Sequence, residues 1–104
     1  MLSAGYEVKI INQPDENLLR EIVDFAPDLI ISGIIITAKI SGLDIIKRLR
    51  SEEKTKDMKI MILTTVDDPK SIREARKFDI EDYLVSTLYS PESVEKKVGE
   101  ILRK

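Results

Sequence analysis

The fold class follows from one run of apolar residues, LIISGIII, at positions 29–36. These residues hardly alternate with polar ones, which is typical of a strand that is covered on both faces inside a parallel sheet. A strand with one face in water would alternate. We therefore predict a strand over residues 28–36, in the interior of the sheet.

Three further runs of β-prone residues lie at positions 7–12, 59–65 and 82–85. The segments between the runs have helical periodicity instead. Such alternation predicts parallel strands connected by helices, that is, an α/β fold. The chain has 104 residues and shows no repeat or linker, so we predict a single domain over residues 1–104.

Proline and capping residues mark the predicted helix boundaries. The first helix must end before Pro27, because the residue before a proline disfavours the helical conformation. A second helix is predicted to start near Ser41, whose spacing to Asp44 matches a capping box. The prolines that suit a first helical position are Pro14, Pro69 and Pro91, and the predicted N-caps before them are Asn12 or Gln13, Asp68 and Ser90.

Each of three helices has an apolar face that is predicted to pack on the sheet. In the last of them, predicted from Pro91 to about Arg103, the apolar residues are spaced as neighbours on one helical stripe. The residues predicted to face inward are Leu18, Ile22, Val23 and Phe25 or Ala26 in the first helix, Leu43, Ile46 and Leu49 in the second, and Val94, Val98, Ile101 and Leu102 in the last.

Composition excludes several classes of function. The chain contains no cysteine and no histidine, so disulfides, thiolate chemistry and the usual proton shuttle are absent. The net charge is -2 and both signs are scattered along the sequence, which gives no electrostatic support for binding nucleic acid. No apolar run approaches the roughly 20 residues that span a bilayer, and no signal peptide is visible. We predict a cytoplasmic protein that binds neither nucleic acid nor a membrane.

Several local strings, taken in order, resemble the receiver domain of response regulators. They are APDLII at 26–31, SGLD at 41–44, IMILTT at 60–65, and EDYLV at 81–85 followed by SPE at 90–92. The resemblance covers nearly the whole chain and implies a flavodoxin-like (receiver-like) parallel sheet flanked by helices. The family's strand order is 2-1-3-4-5, and this chain starts near the end of the family's first helix. The resemblance therefore implies a fold that lacks the first strand and helix.

The resemblance also implies that the phosphoryl chemistry is lost. In the family, the strand similar to residues 29–33 ends in the aspartate that accepts the phosphoryl group from a histidine kinase. Here that position is Gly33, which offers no nucleophile. The family's lysine corresponds to Ser86 and the proline after it to Thr87. The acidic pair that holds Mg²⁺ lies in the family's first strand, and this chain begins beyond it. We therefore predict no catalytic residue, no metal and no cofactor.

Two kinds of side chain are candidates to replace the lost groups. Ser32 precedes the acceptor position, but successive side chains of a strand point to opposite faces, so its hydroxyl would not project as an aspartate at position 33 would. Asp67 and Asp68 follow a strand at the carboxyl edge of the sheet, where the sites of α/β proteins gather. An Asp-Asp-Pro sequence is also a turn with a helix N-cap, so metal binding and capping both stay open there.

Two residues correspond to the family's switch. Thr64 occupies the position of the hydroxyl residue that follows the phosphoryl group, and Tyr83 occupies that of the aromatic residue whose rotamer reports the state of the site. A threonine at a strand end and a tyrosine on a buried strand are also ordinary β residues, so both interpretations stay open.

The absence of the family's central strand leaves residues 6–12 to pair with the strand at 29–34 or with another chain. Right-handed crossovers would place the first three helices on one face of the sheet, so the last helix alone would cover the other. An exposed apolar face favours association. We therefore predict a homodimer whose interface involves Val94, Val98 and Ile101 or the bare sheet beside them, with strand exchange as one arrangement. The alternative is a truncated fragment of a longer response regulator.

The leading functional hypothesis is a non-catalytic (pseudo-)receiver domain that binds a signalling protein in a phosphorelay-type pathway. By resemblance, its docking surface is formed by the helix at 69–78, the strand at 82–85 and the last helix. An enzyme is disfavoured, because no nucleophile and base occur at a recognised spacing. The alternative is a small-ligand sensor at the carboxyl edge of the sheet, near Gly33, Thr64, Thr65, Ser86 and Thr87.

Overall fold

The computed structural model describes residues 5–11, 14–34 and 41–103. Helices and strands alternate along the chain, and a short 3-10 helix at Ser86–Leu88 follows the last strand. The helices are α1 (Leu18–Phe25), α2 (Gly42–Ser51), α3 (Pro69–Arg76) and α4 (Pro91–Leu102), and the strands are β1 (Ile30–Ser32), β2 (Ile60–Thr64) and β3 (Asp82–Val85).

The strands form a parallel sheet in the order β1-β2-β3. Ile31 is level with Met61, and Ile62 is level with Tyr83. The central strand is β2, whose Ile60, Met61 and Ile62 are 0% exposed. The predicted strand at 82–85 is confirmed as β3, and the one at 59–65 is confirmed as β2, one residue shorter at each end.

The prediction of a strand over residues 7–12 is wrong for residues 7–11, and Asn12 lies outside the described residues. A strand is stable only when a neighbour pairs with its backbone N–H and C=O groups. In the described part of the chain β1 pairs with β2 alone, so residues 7–11 do not join its free edge. Ile11 instead packs beside the core, while Val8 and Ile10 are exposed.

The strand predicted over residues 28–36 is observed only at Ile30–Ser32, and positions 35 and 36 lie outside the described residues. The prediction that it lies inside the sheet is wrong, because β1 is the edge strand of the described sheet. Ile31 is accordingly 42% exposed. The run is apolar enough for an interior strand, but the structure gives β1 a neighbour on one side only.

Three of the predicted helix N-caps are confirmed. Ser41 Oγ accepts from the Leu43 N–H at 3.1 Å, Asp68 Oδ2 from the Ser71 N–H at 3.0 Å, and Ser90 Oγ from the Ser93 N–H at 3.2 Å. The Ser71 N–H bond is the main reason that the pKa of Asp68 is lowered. Pro69 and Pro91 are the first residues of their helices, as predicted.

The predicted start of the first helix at Pro14 is wrong, because α1 begins at Leu18. Asp15 Oδ1 accepts from the Asn17 N–H at 2.8 Å, and this side-chain turn occupies the segment before the helix. The predicted caps Asn12 and Gln13 lie outside the described residues. The helix ends before Pro27 as predicted, with Ala26 in the left-handed conformation at φ 53°.

The four helices are divided unequally between the faces of the sheet, as predicted. Buried residues of α1, α2 and α3 form one cluster with Ile60, Ile62 and Tyr83. Among the described helices, α4 alone packs on the other face, against Met61 and Leu84. Within the described residues, no helix is both long and apolar enough to cross a membrane.

Candidate functional site

The carboxyl ends of parallel strands meet at one edge of a sheet, where binding sites of α/β proteins usually lie. Gly33 directly follows β1, Thr64 is the last residue of β2, and Ser86 directly follows β3. Thr64 is level with Val85. The structure therefore brings Gly33, Thr64 and Ser86 to one edge, as predicted from the sequence.

The backbone at the end of β1 is tightly packed. The Gly33 carbonyl accepts a hydrogen bond from Ser32 Oγ at 2.9 Å. The first residue of α2, Gly42, approaches the same carbonyl so closely that a Cβ atom at position 42 would overlap the Gly33 oxygen and lie 2.7 Å from its carbon. The Gly42 N–H also donates to the Ile34 carbonyl at 2.6 Å. The backbone that directly follows β1 is thus packed against the start of α2.

Ser32, the candidate replacement for the acceptor, is buried on the strand. Its hydroxyl already donates to the Gly33 carbonyl. Because it precedes position 33 on a strand, it projects to the other face. Neither observation supports Ser32 as a nucleophile.

Thr64 and Tyr83 are connected through one residue of the loop after β2. Thr64 Oγ1 accepts from the Val66 N–H at 3.2 Å, and the Tyr83 hydroxyl donates to the Val66 carbonyl at 2.8 Å. Tyr83 is 7% exposed and belongs to the core cluster that α1, α2 and α3 share. The two residues therefore hold the loop between β2 and α3 in one position.

Burial raises the pKa of Tyr83, and the carboxylates of Asp68 and Asp67 raise it further. The folded chain therefore holds the phenolic proton more tightly than the unfolded chain does. This contribution to stability is complete below the ordinary tyrosine pKa of 10.0 and is lost as the pH rises through the raised value.

Replacing Tyr83 with phenylalanine tests this hydrogen bond. We expect Tyr83→Phe to lower the free energy of unfolding by about 1 kcal/mol at neutral pH, because the Val66 carbonyl loses its donor. Above pH 10.0 the difference between the two proteins should shrink, since only the parent chain carries this raised pKa. Urea unfolding at neutral and alkaline pH measures both effects. An equal difference at every pH would contradict the assignment.

The residue predicted by resemblance to stand at the lysine position, Ser86, begins a short 3-10 helix. Ser86 is half-buried at its start, and Thr87 is exposed. Asp68 is used as the N-cap of α3, which supports the capping interpretation of the Asp-Asp-Pro sequence. In the described ranges no group of three acidic, histidine or cysteine side chains is placed to hold a metal ion.

Two surface grooves lie at the opposite, amino edge of the sheet. One of about 590 Å³ lies between Tyr6, Asp28, Lys59 and Leu102, and a smaller one lies beside Arg50. A small-ligand sensor of the predicted kind would need its cavity at the carboxyl edge instead. These two grooves therefore give that alternative no support.

The predicted interface residues are part of the core of this chain. Val94, Val98 and Ile101 pack with Met61 and Leu84, and each is at most 9% exposed. They have little surface left for a second chain. The bare part of the same sheet face is Ile31, which lies level with Met61.

Sequence reasoning missed the role of two residues. The string SGLD includes Gly42, and a glycine directly after an N-cap is the only local sign of its close contact with Gly33. Arg50 donates to the carbonyls of Lys56, Met58, Phe78 and Asp79, and nothing in the sequence near Arg50 indicates these bonds.

Comparison with known proteins identifies relatives of this arrangement. The family model described as "Response regulator receiver domain" matches residues 2–98. A "Chemotaxis protein CheY homolog" of Campylobacter jejuni is 28% identical over 64 residues, which are 62% of this chain and 48% of that protein. The match thus spans about half the length of that relative.

Solved structures agree with the fold. Chemotaxis protein CheY4 of Vibrio cholerae matches with a TM-score of 0.77 and 25% identity, over 94% of this chain and 79% of that one. A putative response regulator of Chloroflexus aurantiacus matches with a TM-score of 0.72 and 27% identity, over 86% of this chain and 71% of that one. The predicted flavodoxin-like, receiver-like sheet flanked by helices is therefore confirmed.

Proposed function

Because the chain belongs to the response regulator receiver family, whose model matches residues 2–98, we propose that it is a receiver that binds a signalling protein without accepting a phosphoryl group. Receiver domains of this family act in two-component signalling and interact with signalling proteins. The proposal adds that this chain is non-catalytic and that its docking surface does not depend on phosphorylation.

The observation that carries the proposal is Gly33. It stands where, by resemblance, the family has its acceptor aspartate, and glycine has no side chain to attack a phosphoryl group. Its carbonyl is packed between Ser32 Oγ and Gly42, so neighbouring atoms fill the space beside it. This packing supports a role for the end of β1 in positioning α2.

A second group that phosphoryl transfer needs is also replaced. Transfer requires cations that neutralise the charge on the equatorial oxygens. Ser86 stands at the position of the family's lysine and carries no charge. These features favour the loss of the whole reaction over the replacement of one residue.

The docking surface that we propose consists of α3, β3 and α4. Tyr83 is buried and bound to the Val66 carbonyl, and Val66 binds Thr64 in turn. These bonds tie the loop before α3 to β3 with no phosphoryl group involved. They support a docking surface whose conformation does not depend on phosphorylation.

We further propose the predicted homodimer, with the bare sheet at Ile31 as its contact. Ile31 lies on the edge strand of the described sheet and is 42% exposed, on the face against which α4 packs. The buried stripe of Val94, Val98 and Ile101 is left to the core of each chain. Apolar area that is removed from water contributes about 25 cal/mol per Å², so a second copy would be favoured there.

Acetyl phosphate with Mg²⁺ tests the loss of phosphoryl transfer. We expect the intact mass of the chain to stay unchanged after incubation, while a receiver that retains its aspartate gains one phosphoryl group in the same mixture. Light scattering on the same samples should give the mass of a dimer both with and without acetyl phosphate. A gain of one phosphoryl group would refute the non-catalytic assignment, and a monomer would refute the dimer alone.

A further inference from the structure

Two β-prone segments carry most of the large apolar side chains that are exposed. Among the described residues these side chains are Val8, Ile10, Ile31 and Leu88. Val8 and Ile10 lie in the segment at 7–11 and are 43% and 67% exposed, and Ile31 is the middle residue of β1. Apolar side chains that are exposed together mark surfaces for association. The segment at 7–11 and the edge of β1 are therefore candidates for one contact.

The outer edge of β1 presents backbone groups that can pair with a further strand. The Ile30 N–H donates to the Lys59 carbonyl at 2.9 Å, so the backbone of Ile30 faces β2. Because these groups alternate in direction along a strand, the N–H and C=O of Ile31 point away from β2. Within the described residues no strand pairs with this side. Charged residues and prolines, which usually protect an edge strand from pairing, do not occur at positions 29–34.

The segment at 7–11 has apolar residues for both faces of a sheet. Successive side chains of a strand point to opposite faces, so in a strand Val8 and Ile10 would share one face and Ile11 would take the other. The same division is present in β1, where Ile30 packs with the cluster of α1, α2 and α3 and Ile31 lies on the face of α4. The two segments therefore match as neighbouring strands.

We propose that two copies of the chain exchange these segments, so that residues 7–11 of each copy add a strand to the outer edge of β1 in the other. The inference rests on the proposed homodimer and specifies its contact as backbone pairing. Within one described chain residues 7–11 form no strand, and β1 pairs with β2 alone. A second copy is the occupant that fits, because each copy supplies both the free edge and the strand-like segment. A twofold dimer then pairs all four.

Proline substitutions test the backbone pairing. Lys9 and Ile10 are both exposed in the single chain, and their N–H groups would point to opposite sides of a strand. One of Lys9→Pro and Ile10→Pro must therefore remove a donor from the pairing with β1. We expect that variant to raise the dissociation constant of the dimer about tenfold, as is typical of one lost hydrogen bond. The controls Lys9→Gln and Ile10→Val keep the N–H groups and should change the constant little.

Sedimentation equilibrium measures the dissociation constants, and circular dichroism checks that each variant is folded.

Cysteine substitutions locate the contact. The chain contains no cysteine, so one introduced cysteine in each copy forms a disulfide only with the other copy. Opposite residues of paired strands have Cβ atoms about 5 Å apart, which is close enough for a disulfide to form. We expect a disulfide-linked dimer when Ile31→Cys is mixed with Val8→Cys or with Ile10→Cys and oxidised. Leu88→Cys is the control, because Leu88 is 76% exposed but follows β3, and it should not link to Ile31→Cys.

Two outcomes would overturn the exchange of segments and leave the homodimer intact. One is a dimer that both proline substitutions leave unchanged. The other is faster linking of Ile31→Cys to itself than to Val8→Cys or Ile10→Cys, which would assign the contact to β1 of both copies. A parent chain that is a monomer would refute the homodimer and the exchange together. Failure of the non-catalytic assignment would instead appear as a phosphoryl group on the chain.

Discussion

Replacing Gly42 with alanine is expected to lower the free energy of unfolding by about 3 kcal/mol, at the upper end of the range for overpacked sites. The added Cβ atom would overlap the Gly33 carbonyl oxygen and lie 3.1 Å from the Ile34 Cα atom. Both obstacles are backbone atoms, which cannot rotate away as the end of a side chain can. Relief would require α2 to move away from β1, at the loss of the bond from the Gly42 N–H to the Ile34 carbonyl.

Gly99 provides the matched control for this substitution. It is also a buried glycine of a helix, but the atom nearest to its added Cβ is Arg103 Nη1 at 3.0 Å, the end of a flexible side chain. Alanine in a helix is favoured over glycine by roughly 0.5–1 kcal/mol. We therefore expect Gly99→Ala to be neutral or slightly stabilising. Urea unfolding of the two variants measures the contrast.

Equal stability of the two variants would show that the contact of Gly42 with Gly33 is not a tight one. It would also weaken the case that the end of β1 positions α2. A large loss for Gly42→Ala alone would support a structural role for the SGLD string at 41–44.

The elements that could be predicted from the sequence depend on local chemistry. Ser41, Asp68 and Ser90 each cap a helix with an oxygen two or three residues from the N–H that it accepts. Such bonds need no distant partner, so residue type and spacing suffice to predict them. Strand β3 is also predictable from the local sequence, because its apolar residues are flanked by polar ones.

The elements that were predicted wrongly depend on distant partners. Residues 7–11 have the composition of a strand but no neighbour in the described sheet, and β1 is apolar enough for the interior although it lies at the edge. Whether a β-prone segment forms a strand is decided by pairing, which composition does not record. The start of α1 was missed because the side chain of Asp15 forms a turn where Pro14 had suggested a first helical turn.

The same contrast between local and distant contacts applies to the candidate site. The positions of Gly33, Thr64 and Ser86 at one edge could be predicted from the order of the strands. The bond from Tyr83 to the Val66 carbonyl and the contact of Gly42 with Gly33 could not, because each joins residues that only the folded backbone brings together. Asp82 likewise has the appearance of an ordinary strand residue until Arg76 and Lys97 are placed beside it.

Arg50 is the second residue for which a large effect is expected. Its guanidinium donates from Nε to the Phe78 carbonyl at 2.7 Å and from Nη1 to the Met58 carbonyl at 2.6 Å, and both bonds are partly buried. Two exposed bonds lead to the carbonyls of Lys56 and Asp79, at 2.9 and 3.1 Å. One side chain at the end of α2 thus ties together the two segments that lead into β2 and β3.

We expect Arg50→Met to lower the free energy of unfolding by about 3 kcal/mol, because the two partly buried carbonyls lose charged donors while the two exposed ones regain water. We expect Arg50→Lys to lower the free energy of unfolding by about half that amount. The ammonium group keeps a charged donor, but it cannot span all the carbonyls that the planar guanidinium reaches. Arg48→Met is the matched control, because Arg48 is an exposed arginine on the same helix. Urea unfolding of the three variants tests the order.

The local effect of Arg50→Met should appear where the chain turns into β3. Asp79 has a left-handed backbone at φ 58°, a conformation that aspartate adopts more readily than most residues but less readily than glycine, and Arg50 donates to its carbonyl. Loss of that donor should speed amide hydrogen exchange at residues 78–81 more than at the start of α4. Since Asp82 directly follows this turn, the same variant should also loosen the position of its carboxylate between Arg76 and Lys97. Unchanged exchange in this segment, together with full stability, would show that the four bonds are incidental and that core packing positions β3.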